Sequence, residues 1–419
     1  MFASCNTSKS PLFGKRSAHQ KYAESLESAG LKGSQLGNLW FNAATKSLNA
    51  PDSVVLPFQQ NGFFAAEIPA ADGFVFKGKR GQKIMVNLSV IPDTAKLFFC
   101  ELWQVEANEL SLLTAMDTLN QTIEHVVKKD GQFIVRIQPQ LLVNMEYTIS
   151  FTTGPSLAFP VQESGNPRII STWGVDRDGG QRRHEGIDIQ AKFRTPAVAA
   201  TEGIVSRVGD NNLGGKVIFL RDRETGNSLY YAHLDSQIAV RGQSVQKGDV
   251  IGLIGNTGNA KNTVPHLHFG IYAVGGAIDP LVFVDKNIKK PAAISSPKSW
   301  ISRWVRTNAA SSVYRHPYAK SALIEKHKSG TPVLVLAALP GWLKVQLPGG
   351  NHGYISDKMV TDKSMKELKV NNEMKLLALP DHNAPGKFKV GPDQSVSVIG
   401  NYGNFSLVTF NDLAGWMMN

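Results

Sequence analysis

Two short segments of the sequence bring histidine and carboxylate groups together at spacings that suit a metal ion. His184 and Asp188 lie in the first segment, and His266 and His268 lie in the second. In an extended strand, side chains an even number of residues apart share a face, so each pair would present both groups on one side of its strand. We therefore expect four potential ligands to converge from two strands.

The apolar residues of both segments occupy the opposite parity, which favours strands over helices. They would pack on the other side of the sheet and are Ile187, Ile189, Leu267 and Phe269. The pair His184-Glu185 also matches the start of the helical zinc motif HExxH. The second histidine of that motif is replaced by Asp188, and Gly186 would weaken a helix, so we exclude that motif.

Imidazole and carboxylate groups suit zinc, and a catalytic zinc ion typically keeps about three protein ligands and one open position. His184, Asp188 and one histidine of the second segment supply such a set, which leaves the other histidine for chemistry. A third segment, from Tyr230 to Asp235, contains His233 and would complete the same site. The alternative to a metal site is that a histidine is an ordinary core or surface residue. We favour this alternative for most of the 10 histidines, but not for this cluster.

The size and composition of the chain indicate several β-rich domains. A chain of 419 residues is too long for one ordinary core and predicts three or four domains of roughly 100 residues each. Hydrophobic residues make up 42% and charged residues 19%, which is typical of globular protein. The 38 glycines and 21 prolines favour turn-rich β structure over helical bundles.

The formal net charge of +11 predicts an acidic partner, either a nucleic acid or an anionic surface such as a cell wall or membrane. Nucleic acid is the weaker choice because the positive charge is dispersed, with Lys289-Lys290 only a pair, and no recognition motif accompanies it. We therefore expect no nucleic-acid partner.

The two cysteines, Cys5 and Cys100, exclude a disulfide framework. Cys100 lies in an apolar run, where we expect a buried free thiol. Residues 2–5 resemble the lipobox of bacterial lipoproteins, which implies lipidation of Cys5 and attachment to a membrane. The alternative is an incidental cysteine in a disordered tail. No apolar span of about 20 residues elsewhere offers a transmembrane helix.

Pattern changes along the chain predict five parts. They are a polar tether with one or two amphipathic helices (1–50), a β-sandwich accessory domain (51–158), a domain with the histidine segments (159–288), and, after a linker rich in Ser, Pro and Ala, two half-similar β units (298–362 and 366–419). The two C-terminal β units show a similar pattern of strands, repeated after about sixty residues. The 51–158 region resembles the accessory sandwich found beside secreted bacterial peptidases.

The third part carries motifs that appear in the order of one known family. They are Trp173-Gly174, Arg177-Asp178-Gly179-Gly180, His184-Glu185-Gly186-Ile187-Asp188-Ile189, Tyr231-Ala232-His233-Leu234, Gly255-Asn256-Thr257-Gly258 and Pro265-His266-Leu267-His268-Phe269-Gly270. These segments resemble the lysostaphin-type zinc endopeptidases, also called LytM-like or M23 peptidases, over about 125 residues. The resemblance implies a small antiparallel β domain with a groove that cleaves peptide bonds in bacterial peptidoglycan.

The resemblance also implies roles for five residues. His184, Asp188 and His268 would be the Zn²⁺ ligands, while His233 and His266 would flank the zinc-bound water as proton acceptor and donor, in an order that the sequence leaves open. Some family members have lost metal ligands and only regulate other wall hydrolases. Every matching position is filled here, which favours an active enzyme in the bacterial cell envelope.

Three basic residues lie close to these motifs in sequence: Arg182, Arg183 and Lys261. They either meet carboxylates of the substrate or form a solvated positive rim.

The first C-terminal unit resembles bacterial SH3 domains, whose usual task is to hold wall peptides. The second unit repeats the scheme more weakly. Trp342 and Trp416 could line a binding groove, although a small barrel also needs such residues for its core, which we favour. We thus expect a mainly β, multidomain protein: N-terminal helices, a β-sandwich, an antiparallel-β metallopeptidase domain and two SH3-like barrels.

Overall fold

The computed structural model describes residues 16–91, 97–107, 109–116 and 122–419. These residues form two N-terminal helices followed by successive β units, so the expected mainly β, multidomain architecture is confirmed. Cys5 and the polar tether lie outside the described residues. Among the described residues, no helix combines the length and the apolar character needed to cross a bilayer.

The N-terminal helices are α1 (Ala18–Ser28) and α2 (Gln35–Asn49). Between them, Gly30 adopts a left-handed conformation with φ of 71°. Trp40 on α2 is 1% exposed and donates a hydrogen bond from Nε1 to the carbonyl oxygen of Pro139 at 2.9 Å. The helix pair is therefore docked on the β unit that follows it.

The next unit is a two-sheet sandwich. Its strands are β1 (Asp52–Ser53), β2 (Phe58–Phe64), β3 (Asp72–Gly78), β4 (Gln82–Ile91), β5 (Phe98–Glu106), β6 (Glu109–Ala115), β7 (Thr122–Val126), β8 (Gly131–Pro139) and β9 (Met145–Pro155). One sheet has the order β1-β3-β8-β5-β6, and the other contains β2-β9-β4-β7. Aromatic residues such as Phe74 and Phe151 fill the space between the sheets. Cys100 belongs to the same core as a buried free thiol, as expected.

The third unit is built on one antiparallel sheet. Its elements are β10 (Arg168–Ser171), β11 (Asp176–Arg177), β12 (Arg182–Arg183), β13 (Ile187–Gln190), β14 (Pro196–Val198), β15 (Gly203–Asn211), β16 (Gly215–Asp222), β17 (Ser228–Gln237), β18 (Ser244–Val245), β19 (Val250–Ile254), β20 (His266–Ala273), β21 (Gly276–Ile278) and the short helix α3 (Leu281–Val284). The main order is β10-β13-β20-β17-β16-β15-β18, and β11 pairs with β12 as a separate hairpin. β13, which follows the hairpin in the chain, therefore lies between the edge strand β10 and β20.

The C-terminal region forms two further β units. The first contains β22 (Trp304–Thr307), β23 (Ser311–Tyr314), β24 (Leu323–His327), β25 (Pro332–Leu339), β26 (Trp342–Gln346), β27 (His352–Ser356) and β28 (Val360–Thr361), and the second contains β29 (Lys366–Lys369), β30 (Met374–Leu377), β31 (Gly386–Val390), β32 (Ser395–Tyr402), β33 (Phe405–Phe410) and β34 (Leu413–Met418). Trp416 is 2% exposed, and half-buried Trp342 packs against the sandwich core, so both serve packing.

Strand pairing among the described residues does not close either C-terminal unit into a complete barrel. The first unit gives a physical reason. One edge of β25 pairs with β26, and the other edge is shared between β22 and strand β2 of the sandwich. Asn61 and Gly62 of β2 face Ala338 and Ala337 of β25. The sandwich and the first C-terminal unit therefore share one continuous sheet.

An ionic cluster reinforces this junction. Lys344 of β26 donates from Nζ to Asp52 at 2.8 Å and to Asp72 at 2.7 Å, and its side chain is 14% exposed. Burial acts to raise the pKa of Asp72, but the Lys344 charge together with hydrogen bonds from Lys344 and Tyr147 outweighs it, so that pKa lies below its usual range. The pKa of Lys344 lies well above its usual value because the two carboxylates outweigh its burial. Asp72 and Lys344 are thus charged at neutral pH.

We expect Lys344→Met to lower the free energy of unfolding by about 3–5 kcal/mol, because it leaves two carboxylates enclosed without their cation. Lys389→Met is the matched control, since Lys389 pairs with Glu373 at 2.7 Å while remaining 62% exposed, and the loss of such a surface pair costs about 0–1 kcal/mol. Denaturant unfolding of both variants measures the difference. Equal effects would show that the cluster does not hold the junction.

Candidate metal centre

The pairing of β13 with β20 positions two of the predicted ligands. Asp188 faces His268 directly in this antiparallel register, so both side chains lie on the same side of the sheet. The four apolar neighbours of opposite parity are 0% exposed on the other side, as expected: Ile187, Ile189, Leu267 and Phe269. The predicted strand geometry is confirmed for these segments.

His184 reaches the site by a different route from the predicted one. It lies outside β13, in the link between β12 and β13, so the expectation that it shares an extended strand with Asp188 is wrong. Backbone hydrogen bonds hold it instead: Gly174 donates to the carbonyl of His184, and His184 donates to the carbonyl of Val175, both at 2.9 Å. Gly186 then passes beside the His268 ring, where a side chain would not fit. The link therefore brings His184 to the same face.

Three ligand atoms meet at this point. His184 Nε2, Asp188 Oδ1 and His268 Nδ1 are each 3.0 Å from the other two. Ligand atoms about 2.0–2.1 Å from a tetrahedral ion lie about 3.3–3.4 Å apart, so the spacing is close to that of a metal site. His184 is 2% and Asp188 9% exposed. Together the three side chains form a group that could hold a metal ion.

The protonation states also suit a cation. The Thr172 carbonyl, which can only accept, lies 2.8 Å from His184 Nδ1 and so assigns the ring proton to that nitrogen. The Nε2 lone pair then faces Asp188 and His268. Burial opposes ionisation of Asp188, but the two adjacent imidazoles stabilise the carboxylate more, so its pKa lies well below its usual range. Burial lowers the pKa of His268. Metal ligands require these deprotonated forms.

His233 and His266 lie beside this cluster, with ring centroids 4.9 Å apart. Each donates from Nδ1 to a backbone carbonyl, that of Thr257 at 2.9 Å for His233 and that of Val264 at 2.8 Å for His266. In the neutral rings, Nε2 of both is therefore an unprotonated acceptor.

The state of His233 is further defined by its surroundings. Burial, followed by the neighbouring His266, lowers the pKa of His233 to about 4. His233 also adopts a φ of 60°, a strained conformation for a non-glycine residue that is found most often at functional sites. A neutral imidazole at pH 7 is thus held in a defined orientation beside the cluster.

All five residues line one cleft of about 710 Å³. The other lining residues also come from positions 170–272 and include Arg177, Glu185, Asn211, Tyr230 and Tyr272. Tyr230 stands edge-on to His268, with ring centroids 5.8 Å apart. The cleft is open to solvent, and the five side chains of the cluster lie in its lining, where four are buried and His268 is partly exposed.

The three basic residues near the motifs have different positions. Arg182 and Arg183 line the cleft and form exposed ion pairs with Asp178 at 2.9 Å and Asp176 at 2.6 Å. This arrangement agrees with a solvated rim. Lys261 is exposed at the end of a short 3₁₀ turn.

Arg177 was present in the sequence motifs but received no role there. Its Nη2 donates to Asp188 Oδ2 at 2.7 Å and to Ser171 Oγ at 2.7 Å. No periodicity relates a residue in a hairpin to one eleven positions later in another strand, so sequence spacing offered no signal for this contact.

Comparison with known proteins assigns two parts of the chain. Residues 182–280 match the model of Peptidase family M23, and residues 309–362 match that of the Bacterial SH3 domain. The predicted resemblance to both is confirmed, and the chain contains a peptidase M23 domain and a bacterial SH3 domain.

Two curated relatives and one solved structure illustrate the similarity. The chain is 38% identical over 128 residues to the L-Ala–D-Glu endopeptidase of Bacillus subtilis, covering 28% of this chain and 39% of that protein. It is 34% identical over 91 residues to the peptidoglycan DD-endopeptidase ShyC of Vibrio cholerae, covering 22% of this chain and 20% of that protein. The catalytic domain of lysostaphin from Staphylococcus simulans matches with 30% identity and a TM-score of 0.26, covering 28% of this chain and 92% of that domain. The chain thus spans well under half the length of these two curated relatives.

We expect Gly186→Ala to destabilise the protein by about 1–3 kcal/mol, the usual cost of overpacking. A Cβ at this position would lie 2.6 Å from both the Phe269 carbonyl oxygen and Cε1 of His268, so the backbone or the ring must move. Gly209→Ala is the matched control, because its Cβ would meet nothing within 4 Å. Thermal unfolding measures both variants. A Gly186→Ala protein as stable as the control would contradict the close approach.

Proposed function

We propose that this chain is a zinc-dependent endopeptidase that hydrolyses peptide bonds in bacterial peptidoglycan, with the peptidase M23 domain as its catalytic unit. The observation that carries the proposal is the meeting of His184, Asp188 and His268 on the wall of an open cleft, beside His233 and His266. The relatives named above are peptidases by name.

The donor set supports zinc as the metal. Two imidazole nitrogens and one carboxylate oxygen form a three-ligand set typical of catalytic zinc, and their lone pairs converge with the carboxylate ionised. When bound, zinc supplies a Lewis acid for the scissile carbonyl and lowers the pKa of a coordinated water toward 7. His184, Asp188 and His268 are the residues that would hold it.

His233 and His266 would perform the proton transfers. A neutral imidazole in the cleft can accept a proton at Nε2 from the attacking water and later deliver a proton to the nitrogen of the leaving amine. The Thr257 and Val264 carbonyls hold both rings in the tautomer that leaves Nε2 free to accept. The other ring, once protonated, can donate to the oxygen that becomes negative during the reaction.

The substrate and location follow from the same observations. Peptidoglycan is part of the printed name of one relative, and the net charge of +11 suits an anionic wall. We infer an extracytoplasmic site of action in the cell envelope. Attachment to the membrane through a lipidated Cys5 is part of this proposal and concerns a residue outside the described ranges.

The competing function is that of a non-catalytic regulator that binds peptidoglycan and acts through other wall hydrolases. A regulator has no need for three ligands in mutual contact or for two oriented imidazoles beside them. All five groups are present here, which favours the enzyme.

We expect the wild-type protein to contain about one zinc per chain and to release muropeptides from purified sacculi. His184→Ala should lose both zinc and activity, because one of about three ligands is missing. His233→Ala should keep zinc and lose activity by roughly 10²–10⁴-fold, the usual contribution of a proton-transfer group. Metal analysis and chromatography of released fragments measure these outcomes.

The exposed His382 supplies the control, and His382→Ala should match the wild type in both measurements. Muropeptide release by His184→Ala would refute the enzyme assignment. If the wild-type protein binds to sacculi but contains no zinc and releases no muropeptides, the regulator is established instead.

A further inference from the structure

Resting on the proposed function, we propose that Arg177 is a positioning residue that sets the orientation of two of the three metal ligands, Asp188 and His184. The role differs from that of the exposed Arg182 and Arg183, which contact only groups at the rim. One nitrogen atom of the Arg177 guanidinium, Nη2, contacts both Asp188 and Ser171.

The first contact fixes the Asp188 carboxylate. Arg177 Nη2 donates to Oδ2 at 2.7 Å, while Oδ1 is the oxygen 3.0 Å from both His184 and His268. The guanidinium therefore occupies one carboxylate oxygen and leaves the other directed at the histidines. Without it, the carboxylate could rotate about its Cβ–Cγ bond, because the torsion next to a carboxylate has a broad profile.

The second contact reaches His184 through Ser171. The same Nη2 donates to Ser171 Oγ at 2.7 Å, and Ser171 Oγ lies 3.3 Å from His184 Nδ1, the nitrogen that also contacts the Thr172 carbonyl. An amino group of a guanidinium has two N–H bonds, so one nitrogen serves both acceptors. Arg177 thus links the outer sides of two ligands that come from different parts of the chain.

The hairpin that carries Arg177 is suited to hold it in place. Arg177 ends β11 and pairs with Arg182 of β12, and the turn between them is possible because Gly179 and Gly180 adopt φ values of 69° and 90°. β12 leads directly into His184. The hairpin therefore restrains the site in two ways. Its second strand leads into His184, and the Arg177 side chain at the end of its first strand contacts Asp188.

The chemistry requires an arginine. A lysine ammonium is a single point donor on a flexible stem, whereas the planar guanidinium is pre-organised for two acceptors in one plane. The Arg177 side chain is 29% exposed and the Asp188 side chain 12%, so the pair is partly shielded from water. Groups that orient metal ligands in this way typically contribute 10–100-fold to metal affinity.

Arg177→Gln and Arg177→Lys in the full chain test this role. We expect Arg177→Gln to raise the dissociation constant for zinc by about 10–100-fold in competition with a chromophoric chelator. Its cobalt-substituted form should differ from the wild type in visible absorption, because the Asp188 carboxylate is free to turn. Arg177→Lys should restore only part of the affinity. Thermal unfolding of the metal-free variants checks that the fold is retained.

Arg182→Gln is the matched control, because it removes a positive charge from the same hairpin without touching Asp188, and its zinc affinity should equal that of the wild type. Zinc affinity and cobalt absorption unchanged in Arg177→Gln would overturn the inference while leaving the proposed function in place. Equal losses in Arg177→Gln and Arg182→Gln would also overturn it, since only charge would matter. A wild-type protein that binds no zinc would overturn the proposed function, and this inference with it.

Discussion

The candidate site depends on the register in which β13 pairs with β20. A shift of one residue would move every side chain of a strand to the opposite face, so Asp188 and His268 would exchange places with the apolar residues beside them. Those apolar residues are fully buried in the core of the domain, which makes any other register costly. Hydrophobic burial on one face of the sheet thus determines the position of polar groups on the other face.

The polar face of the sheet carries three side chains that need a proton or a cation between them. Three atoms that bear lone pairs meet at 3.0 Å, with Asp188 ionised and two imidazoles at its side. Such a group is stable only when a proton or a cation lies between its members, because buried lone pairs that face each other repel. A divalent ion held by these three side chains would therefore stabilise the domain. Arg177 and the Thr172 carbonyl contact the outer sides of Asp188 and His184, whose Oδ1 and Nε2 atoms face inward.

Sequence reasoning predicted the features that repeat at short range. The alternation of polar and apolar residues identified the strands that carry Asp188 and His268. It failed for His184, whose place depends on backbone hydrogen bonds to a preceding turn, and it missed the role of Arg177, whose contacts cross between elements. It also gave no sign of the sheet shared by the sandwich and the first C-terminal unit, because pairing of β2 with β25 joins residues almost 280 positions apart and leaves no local pattern. Contacts between distant segments are the part that spacing does not encode.

The arrangement of the accessory units bears on how the cleft meets its substrate. The sandwich contacts the peptidase domain where Leu157 donates to the Phe283 carbonyl and Phe283 lies against Gly81, and it shares a sheet with the first C-terminal unit. Both neighbours are therefore fixed to the sandwich through ordered contacts and do not hang from a flexible tether. Among the described residues, those that line the cleft come from 170–272 alone, so neither the sandwich nor a C-terminal unit forms part of its walls. The cleft therefore stays uncovered by the other units, and the sandwich acts as the frame that holds the peptidase domain and the first C-terminal unit.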